Sequence, residues 1–149
     1  MEASDSANVL IVANKTAATP ALLDAVRRRA EQGPAEFYLL VPNPEGAEWH
    51  PLHPEQHDTA AGHAVLALAL PLLDEAAGAD VEAAVSIRHD PMDAIEELLA
   101  ERAFDEIILS TLPSSVSRWL HLDLPRRVEH LGLPVTTVIA RERAPVAAA

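Results

Sequence analysis

The sequence NVLIVA, residues 8–13, is an uninterrupted apolar run, and it decides the fold. A strand without polar alternation is typical of the interior of a parallel sheet, where helices cover both faces. A helix is predicted directly after it, because Pro20 suits the first turn of a helix and Gly33-Pro34 would end it. The first predicted unit is therefore a buried strand followed by a helix.

The same unit recurs along the chain. Apolar or β-prone runs predict four more strands: Phe37–Val41, Val81–Ile87, Glu106–Leu109 and Pro134–Ala140. Three more helices are predicted between them. The first runs from Asp58 or Thr59 to about Ala77 and should bend near Pro71. The second has Asp90 as its N-cap and Pro91 in its first turn, and the third runs from the N-cap Asp123 to Gly132. This alternation indicates an α/β fold, a doubly wound five-stranded parallel sheet in the order 3-2-1-4-5. We expect one domain over residues 1–140 and a disordered tail over residues 141–149.

Composition excludes several classes of protein. The 149 residues include no cysteine, which rules out disulfides, thiolate nucleophiles and cysteine-based zinc sites. The most apolar run, Ala64–Leu73, is too short to span a bilayer. The acidic N-terminus MEASDSA does not resemble a signal peptide, so we expect a cytoplasmic protein without membrane contact.

Charge is distributed unevenly. A formal net charge of −12 disfavours binding to nucleic acid and to anionic membranes. Residues 110–149, however, carry 5 basic and only 3 acidic side chains. Two interpretations follow, a basic face on the last helix or a local site for an anion.

Nearly the whole chain carries a family resemblance. It resembles the universal stress protein family in its strand order, its helix lengths, the long loop before the second helix, and the run DEIILSTLPSSVSRWLHLDLPRRVEHLGLPVTTVIA, residues 105–140. The resemblance implies a three-layer sandwich of the adenine nucleotide alpha hydrolase type and a role in stress response. ATP-binding members have, after strand 4, a glycine, two residues, a glycine, nine residues, then Gly-Ser or Gly-Thr, in a loop that wraps the phosphates.

This chain departs from that motif at every position. Ser110, Pro113, Asp123 and Leu124 stand where the motif has its glycines and hydroxyl residue. Pro113 has no N–H to offer, and Asp123 places a carboxylate where a phosphate would lie. We expect the Asp123 side chain to satisfy the helix amides itself. The first strand also departs, since Asn14-Lys15-Thr16 follows it where the family has an acidic residue, a small residue and serine. Usual ATP binding is therefore not expected, and no other cofactor is implied.

Side chains could nevertheless replace the glycine loop at an anion site. Hydroxyl and guanidinium groups follow strand 4 at Ser114, Ser115, Ser117, Arg118, Arg126 and Arg127. Lys15 and Thr16 would face them across the switch point between strands 1 and 4, where open α/β sheets bind ligands. The candidate contacts for ATP, ADP or another anion are Asn14, Lys15, Val41, Ser110, Ser114, Ser117 and Arg118. The alternative is a serine-rich loop with solvated arginines.

A histidine cluster in the long loop could bind zinc. His50, His53 and His57 lie close to Glu55 and Asp58. Their spacing matches no helical pair of ligands, and surface histidines are the favoured interpretation.

Two further patterns concern partners and catalysis. Trp119 and Leu120 could anchor a protein partner, although a lid packed on the sheet is the favoured interpretation. Ser110 and His121 could act as nucleophile and base, but nothing in the sequence orients them. No catalytic motif is present, and we do not expect an enzyme.

Strand 5 is predicted at a sheet edge. Its residues are β-prone and uncharged, with only an initial proline to protect the edge. The family resemblance implies a homodimer formed by pairing this strand across a two-fold axis. The alternative is a monomer in which the tail from Arg141 covers the edge.

Overall fold

Five strands and four helices alternate in the computed structural model, which describes residues 6–14, 16–42, 60–86, 88, 90–112 and 123–140. The strands are β1 (Ala7–Val12), β2 (Ala35–Val41), β3 (Glu82–Val85), β4 (Glu106–Thr111) and β5 (Val135–Ile139). The helices are α1 (Pro20–Gln32), α2 (Ala60–Ala77), α3 (Pro91–Glu101) and α4 (Leu124–Glu129). All strand pairs are parallel, in the order β3-β2-β1-β4-β5, which confirms the predicted fold.

The central strand β1 is buried on both faces. It pairs with β2 on one side, where Val9 faces Phe37, and with β4 on the other, where Val9 faces Glu106. Val9 and Ile11 belong to the apolar cluster under α1 and α2, whereas Leu10 and Val12 belong to the cluster under α3 and α4. Successive side chains of a strand point to opposite faces, so one apolar run supplies both halves of the core.

The predicted starts of α1 and α3 are confirmed. Pro20 is the first residue of α1, whose buried stripe includes Leu22 and Val26. Asp90 is the N-cap of α3, and its Oδ1 accepts a hydrogen bond from the Met92 N–H at 2.9 Å. The cap satisfies one of the amides that have no partner within the helix.

Pairing partners, rather than local sequence, set the bounds of the outer strands. β3 ends at Val85 and not at Ile87, because its only neighbour β2 ends at Val41, opposite Val85. β3 also starts after Val81, whose N–H donates to Asp74 Oδ1 at 2.8 Å. β4 extends past Leu109 to Thr111, because β5 continues beside it as far as Ile139.

A half-buried ion pair ties α1 to the start of β4. The Arg29 guanidinium donates through Nε and Nη2 to the two carboxylate oxygens of Glu106, both at 3.0 Å. Such a bidentate pair fixes geometry better than a single contact. It accounts for a charged residue at the start of a strand that is otherwise buried.

Helix α2 passes close to β3 at a single glycine. Pro71 lies inside this helix on its exposed side. None of the helices in the described ranges has the length and apolarity needed to cross a membrane. Gly62 is buried near the start of α2, and a Cβ added at this residue would lie 2.6 Å from Val85 Cγ1.

Gly62→Ala should therefore destabilise the domain. The substitution favours the helix intrinsically, yet the overpacking against Val85 should cost about 1–3 kcal/mol of the free energy of unfolding. Urea denaturation measures the change. Val85→Ala should make room, so that Gly62→Ala costs less in that background than in the native one. Equal costs in both backgrounds would contradict the contact.

Candidate functional site at the switch point

The crevice between β1 and β4 is the place where this topology binds ligands. The two strands are neighbours, but α1 covers one face of the sheet and α4 the other. The chain therefore continues from β1 to one face of the sheet and from β4 to the other, an arrangement in which open α/β sheets form a ligand crevice between the two strands. Residues 13, 14 and 16–19 form one lip of this crevice, and residues 110–112 begin the other.

Two turns shape the lip that follows β1. The Ala17 N–H donates to the Asn14 carbonyl at 3.1 Å. Thr19 donates to the Thr16 carbonyl twice, from its N–H at 3.1 Å and from Oγ1 at 2.8 Å. These bonds leave the Thr16 side chain directed at the opposite lip.

A buried hydroxyl pair joins the two lips. Thr16 Oγ1 and Ser110 Oγ lie 2.6 Å apart, and the two residues are only 2% and 1% exposed. One hydroxyl donates and the other accepts, so the pair satisfies groups that would be costly to bury alone. The bond joins the two lips at the carboxyl ends of β1 and β4.

Asn14 carries an acceptor without a partner. Its Nδ2 donates to the Pro42 carbonyl at 3.3 Å, which ties the end of β1 to the end of β2. Its Oδ1 is buried and accepts no hydrogen bond from the described part of the chain. An unsatisfied buried acceptor is unfavourable by about 1–3 kcal/mol, and a ligand that donates a hydrogen bond would relieve it.

Val41 lies beside this site but is fully buried. Its side chain belongs to the apolar cluster under α1 and α2. Its carbonyl accepts from the Ser86 N–H at 2.8 Å. Of the predicted ligand contacts, the structure thus brings Asn14, Val41 and Ser110 to one edge of the sheet.

Asp123 corrects one prediction. It precedes α4, as expected, but its side chain makes no capping hydrogen bond. Its backbone is left-handed, with φ 60° and ψ 35°, a conformation that glycine adopts more readily. The prediction was wrong because the Asp123 backbone turns away from the geometry in which a side chain reaches the first amides of the helix. Asp123 thus has a backbone conformation that glycine favours while carrying a carboxylate.

The two arginines of α4 each lie near a carboxylate. Arg127 Nη2 is 3.5 Å from Asp90 Oδ2, and Arg126 Nε is 3.8 Å from Asp123 Oδ2. Both contacts are long and partly exposed to solvent. They reduce the positive potential that these arginines could offer to an anion.

Several predicted side chains lie outside the described residues. These are Lys15, Pro113, Ser114, Ser115, Ser117, Arg118, Trp119, Leu120 and His121, the loop cluster His50, His53 and His57 with Glu55 and Asp58, and the tail from Arg141. Within the ranges that the structure does describe, no three metal-binding side chains come together.

The bond between Thr16 and Ser110 was not predicted, although the sequence contains a signal for it. Both residues follow buried strands, and strands 1 and 4 are neighbours in the predicted order. The contact between Asn14 and Pro42 follows the same logic for strands 1 and 2. Side-chain hydrogen bonds are thus expected between residues near the carboxyl ends of adjacent parallel strands.

Solved structures share this fold. A universal stress protein from Archaeoglobus fulgidus aligns with a TM-score of 0.61 and 16% identity, over 89% of this chain and 93% of that one. A structure of the universal stress protein from the same organism in complex with dAMP gives 0.56 and 18%, over 89% and 97%. A universal stress protein in complex with cAMP gives 0.55 and 21%, over 91% and 100%. The predicted resemblance is confirmed at the level of the fold.

Sequence comparison adds no closer relative. No family profile matches the chain, and no curated protein sequence matches it either. At identities of 16–21%, the structural likeness establishes the fold alone.

Thr16→Val should test the hydroxyl pair. The variant removes one hydroxyl and leaves Ser110 Oγ buried without its partner, so the free energy of unfolding should fall by about 1–3 kcal/mol. The double variant Thr16→Val with Ser110→Ala removes both polar groups and should recover part of that loss. Denaturant unfolding of the two single variants and the double variant gives the coupling energy. Strictly additive effects would contradict a direct bond.

Proposed function

We propose that this chain is a non-catalytic regulatory or interaction module of the universal stress protein type, acting in the cytoplasm during stress response without binding ATP in the usual way. The observation that carries the proposal is the buried bond between Thr16 and Ser110. It occupies the base of the crevice in which a nucleotide would lie in this topology.

Three features of the chain oppose the usual mode of ATP binding. A phosphate loop needs backbone amides that approach the ligand closely, which glycine permits. Here Ser110 adds a side chain at the first such position and uses it to bond Thr16. At the third position, Asp123 adds a negative charge beside the start of α4. The net charge of −12 opposes a polyanionic ligand further.

The geometry of Ser110 also supports a non-catalytic role. Its Oγ is buried, and the hydrogen bond that the structure gives it goes to the neutral hydroxyl of Thr16. A serine nucleophile needs a general base within hydrogen-bond reach and a path to substrate.

A nucleotide or other anion sensor is the second candidate. In that case the hydroxyl and arginine side chains after β4 would replace the glycine loop. One observation favours it, the buried Asn14 Oδ1, which accepts no hydrogen bond within the described ranges. The amine of an adenine ring or a ribose hydroxyl could donate to it, and two of the structural neighbours are complexes with dAMP and cAMP.

Thermal unfolding with millimolar ATP, ADP or AMP separates the two candidates. A ligand raises Tm only if it binds the folded state. Because the first candidate does not bind ATP in the usual way, we expect an unchanged Tm. A clear rise would contradict the first candidate. If Asn14→Ala and Arg118→Ala each abolished the rise in Tm, the second candidate function would replace the first. A rise that both variants retained would place the ligand elsewhere.

A homodimer through β5 belongs to the same proposal. Thr136, Thr137 and Ile139 are exposed, with Ile139 at 47%, and no residue of β5 is charged. The Ala140 N–H donates to Thr111 across the ladder to β4. Because N–H groups alternate in direction along a strand, the N–H of Thr137 faces the open edge. A second copy could pair there across a two-fold axis.

Thr137→Pro should break such a dimer without unfolding the chain. The substitution removes an N–H on the open edge and leaves the ladder to β4 intact. Light scattering should give twice the chain mass of 16.0 kDa for the native protein and the single mass for the variant. Thr137→Val, which keeps the N–H, is the matched control and should remain dimeric. A native mass of one chain at tens of micromolar protein would contradict the dimer.

A further inference from the structure

A cleft of about 260 Å³ lies at the opposite edge of the sheet from the switch point. It opens where the amino ends of β1, β2 and β3 meet the segment after α2 and the segment after α3. Three small apolar residues, Ala35, Ala77 and Ala79, contribute to its lining. We call it the amino-edge cleft.

One wall of the cleft holds a guanidinium group. Arg102 Cζ lies 4.5 Å from the centre of the Tyr38 ring and 5.8 Å from that of Phe104. The two rings meet edge to face, with centroids 5.9 Å apart at 68°. Arg102 Nη1 also donates to Glu82 Oε1 at 2.6 Å. An aromatic face and a carboxylate together form a binding bracket for a cation.

The Tyr38 ring and the Glu82 carboxylate stabilise a positive charge, but the Arg102 side chain that they contact lies at the surface. The hydrogen bond to Glu82 raises the pKa of the Arg102 guanidinium, an effect that desolvation opposes and that Tyr38 reinforces. The Arg102 side chain is nevertheless 43% exposed. An exposed arginine can leave such a contact at little cost, because surface ion pairs contribute little stability.

The remaining charged groups of the cleft are carboxylates. Glu36 and Asp80 also line it, and within the described part of the chain neither carboxylate forms an ion pair or a hydrogen bond. With Glu82, the lining has three carboxylates against the single guanidinium of Arg102. A negatively charged cleft concentrates cations, and a chain of net charge −12 strengthens the effect.

We propose that the amino-edge cleft binds a small organic cation with an alkyl chain between two positive groups. One positive group of this ligand is a guanidinium, which takes the place of the Arg102 guanidinium against the Tyr38 ring and the Glu82 carboxylate. Its second positive group pairs with Glu36 and Asp80, and its alkyl chain lies against the alanines. Arg102 thus acts as an internal competitor that the ligand displaces. This site is independent of the switch point and of the function proposed there.

Agmatine, which has a guanidinium and an ammonium group on a butyl chain, is the probe. Tyr38 is the single tyrosine of the chain, so tyrosine labelled with carbon-13 at Cζ alone gives one ring signal that needs no assignment by mutation. Titration of the full chain with agmatine at low salt should move this signal in a saturable manner. Neither 1,4-butanediol nor sodium chloride at the same ionic strength should reproduce the change.

Variants separate the cleft from the general surface. Glu82→Gln should weaken agmatine binding about two- to fivefold, and Arg102→Ala should strengthen it about two- to fivefold, because the internal competitor is removed. Glu101→Gln removes a carboxylate next to Arg102 in the sequence but outside the cleft lining, and it should bind as the native protein does. Thermal unfolding of each variant checks that it is folded.

The proposal is overturned if millimolar agmatine leaves the Tyr38 signal unchanged or if Glu82→Gln and Glu101→Gln behave alike. A tripeptide Gly-Arg-Gly, titrated in parallel, distinguishes the source of the cation. Binding equal to that of agmatine indicates an exposed arginine of a protein partner. Binding of agmatine alone indicates a free small molecule.

Discussion

The burial of β1 on both faces is the constraint on which the rest of the structure depends. Its four residues Val9 to Val12 have no contact with solvent. A strand in that environment needs a hydrogen-bonded neighbour on each side and a helical layer on each face. The neighbours β2 and β4 and the two helical layers meet these needs. The crevice follows from the same constraint, because the chain reaches α1 on one face after β1 and α4 on the other face after β4.

Much of the fold could be predicted because its signals are local. The apolar runs, Pro20, and Asp90 with Pro91 each act within a few residues of their position, and the structure has elements in the predicted order. The features that could not be predicted depend on contacts between residues far apart in the sequence. β3 ends where β2 ends, and Thr16 meets Ser110 across 94 positions of sequence. Asp123 was assigned a cap from residue type alone, and residue type does not report a positive φ.

The two edges of the sheet are held by different chemistry. At the carboxyl edge, neutral hydrogen bonds join the segments that follow the strands, from Asn14 to Pro42 and from Thr16 to Ser110. At the amino edge, charged groups dominate, in the bidentate pair of Arg29 with Glu106 and in the bond of Arg102 to Glu82. Charge-assisted bonds are stronger but respond to salt, whereas buried neutral bonds do not.

The left-handed backbone of Asp123 has a consequence for the order in which the domain folds. A non-glycine residue in this conformation is disfavoured by about 1–2 kcal/mol, and α4 has only six residues and no side-chain cap at its start. Such a helix cannot nucleate alone. What holds it in place is the burial of Leu124 and Val128 against the sheet. We therefore expect α4 to form late, once β1 and β4 have created the surface that receives it.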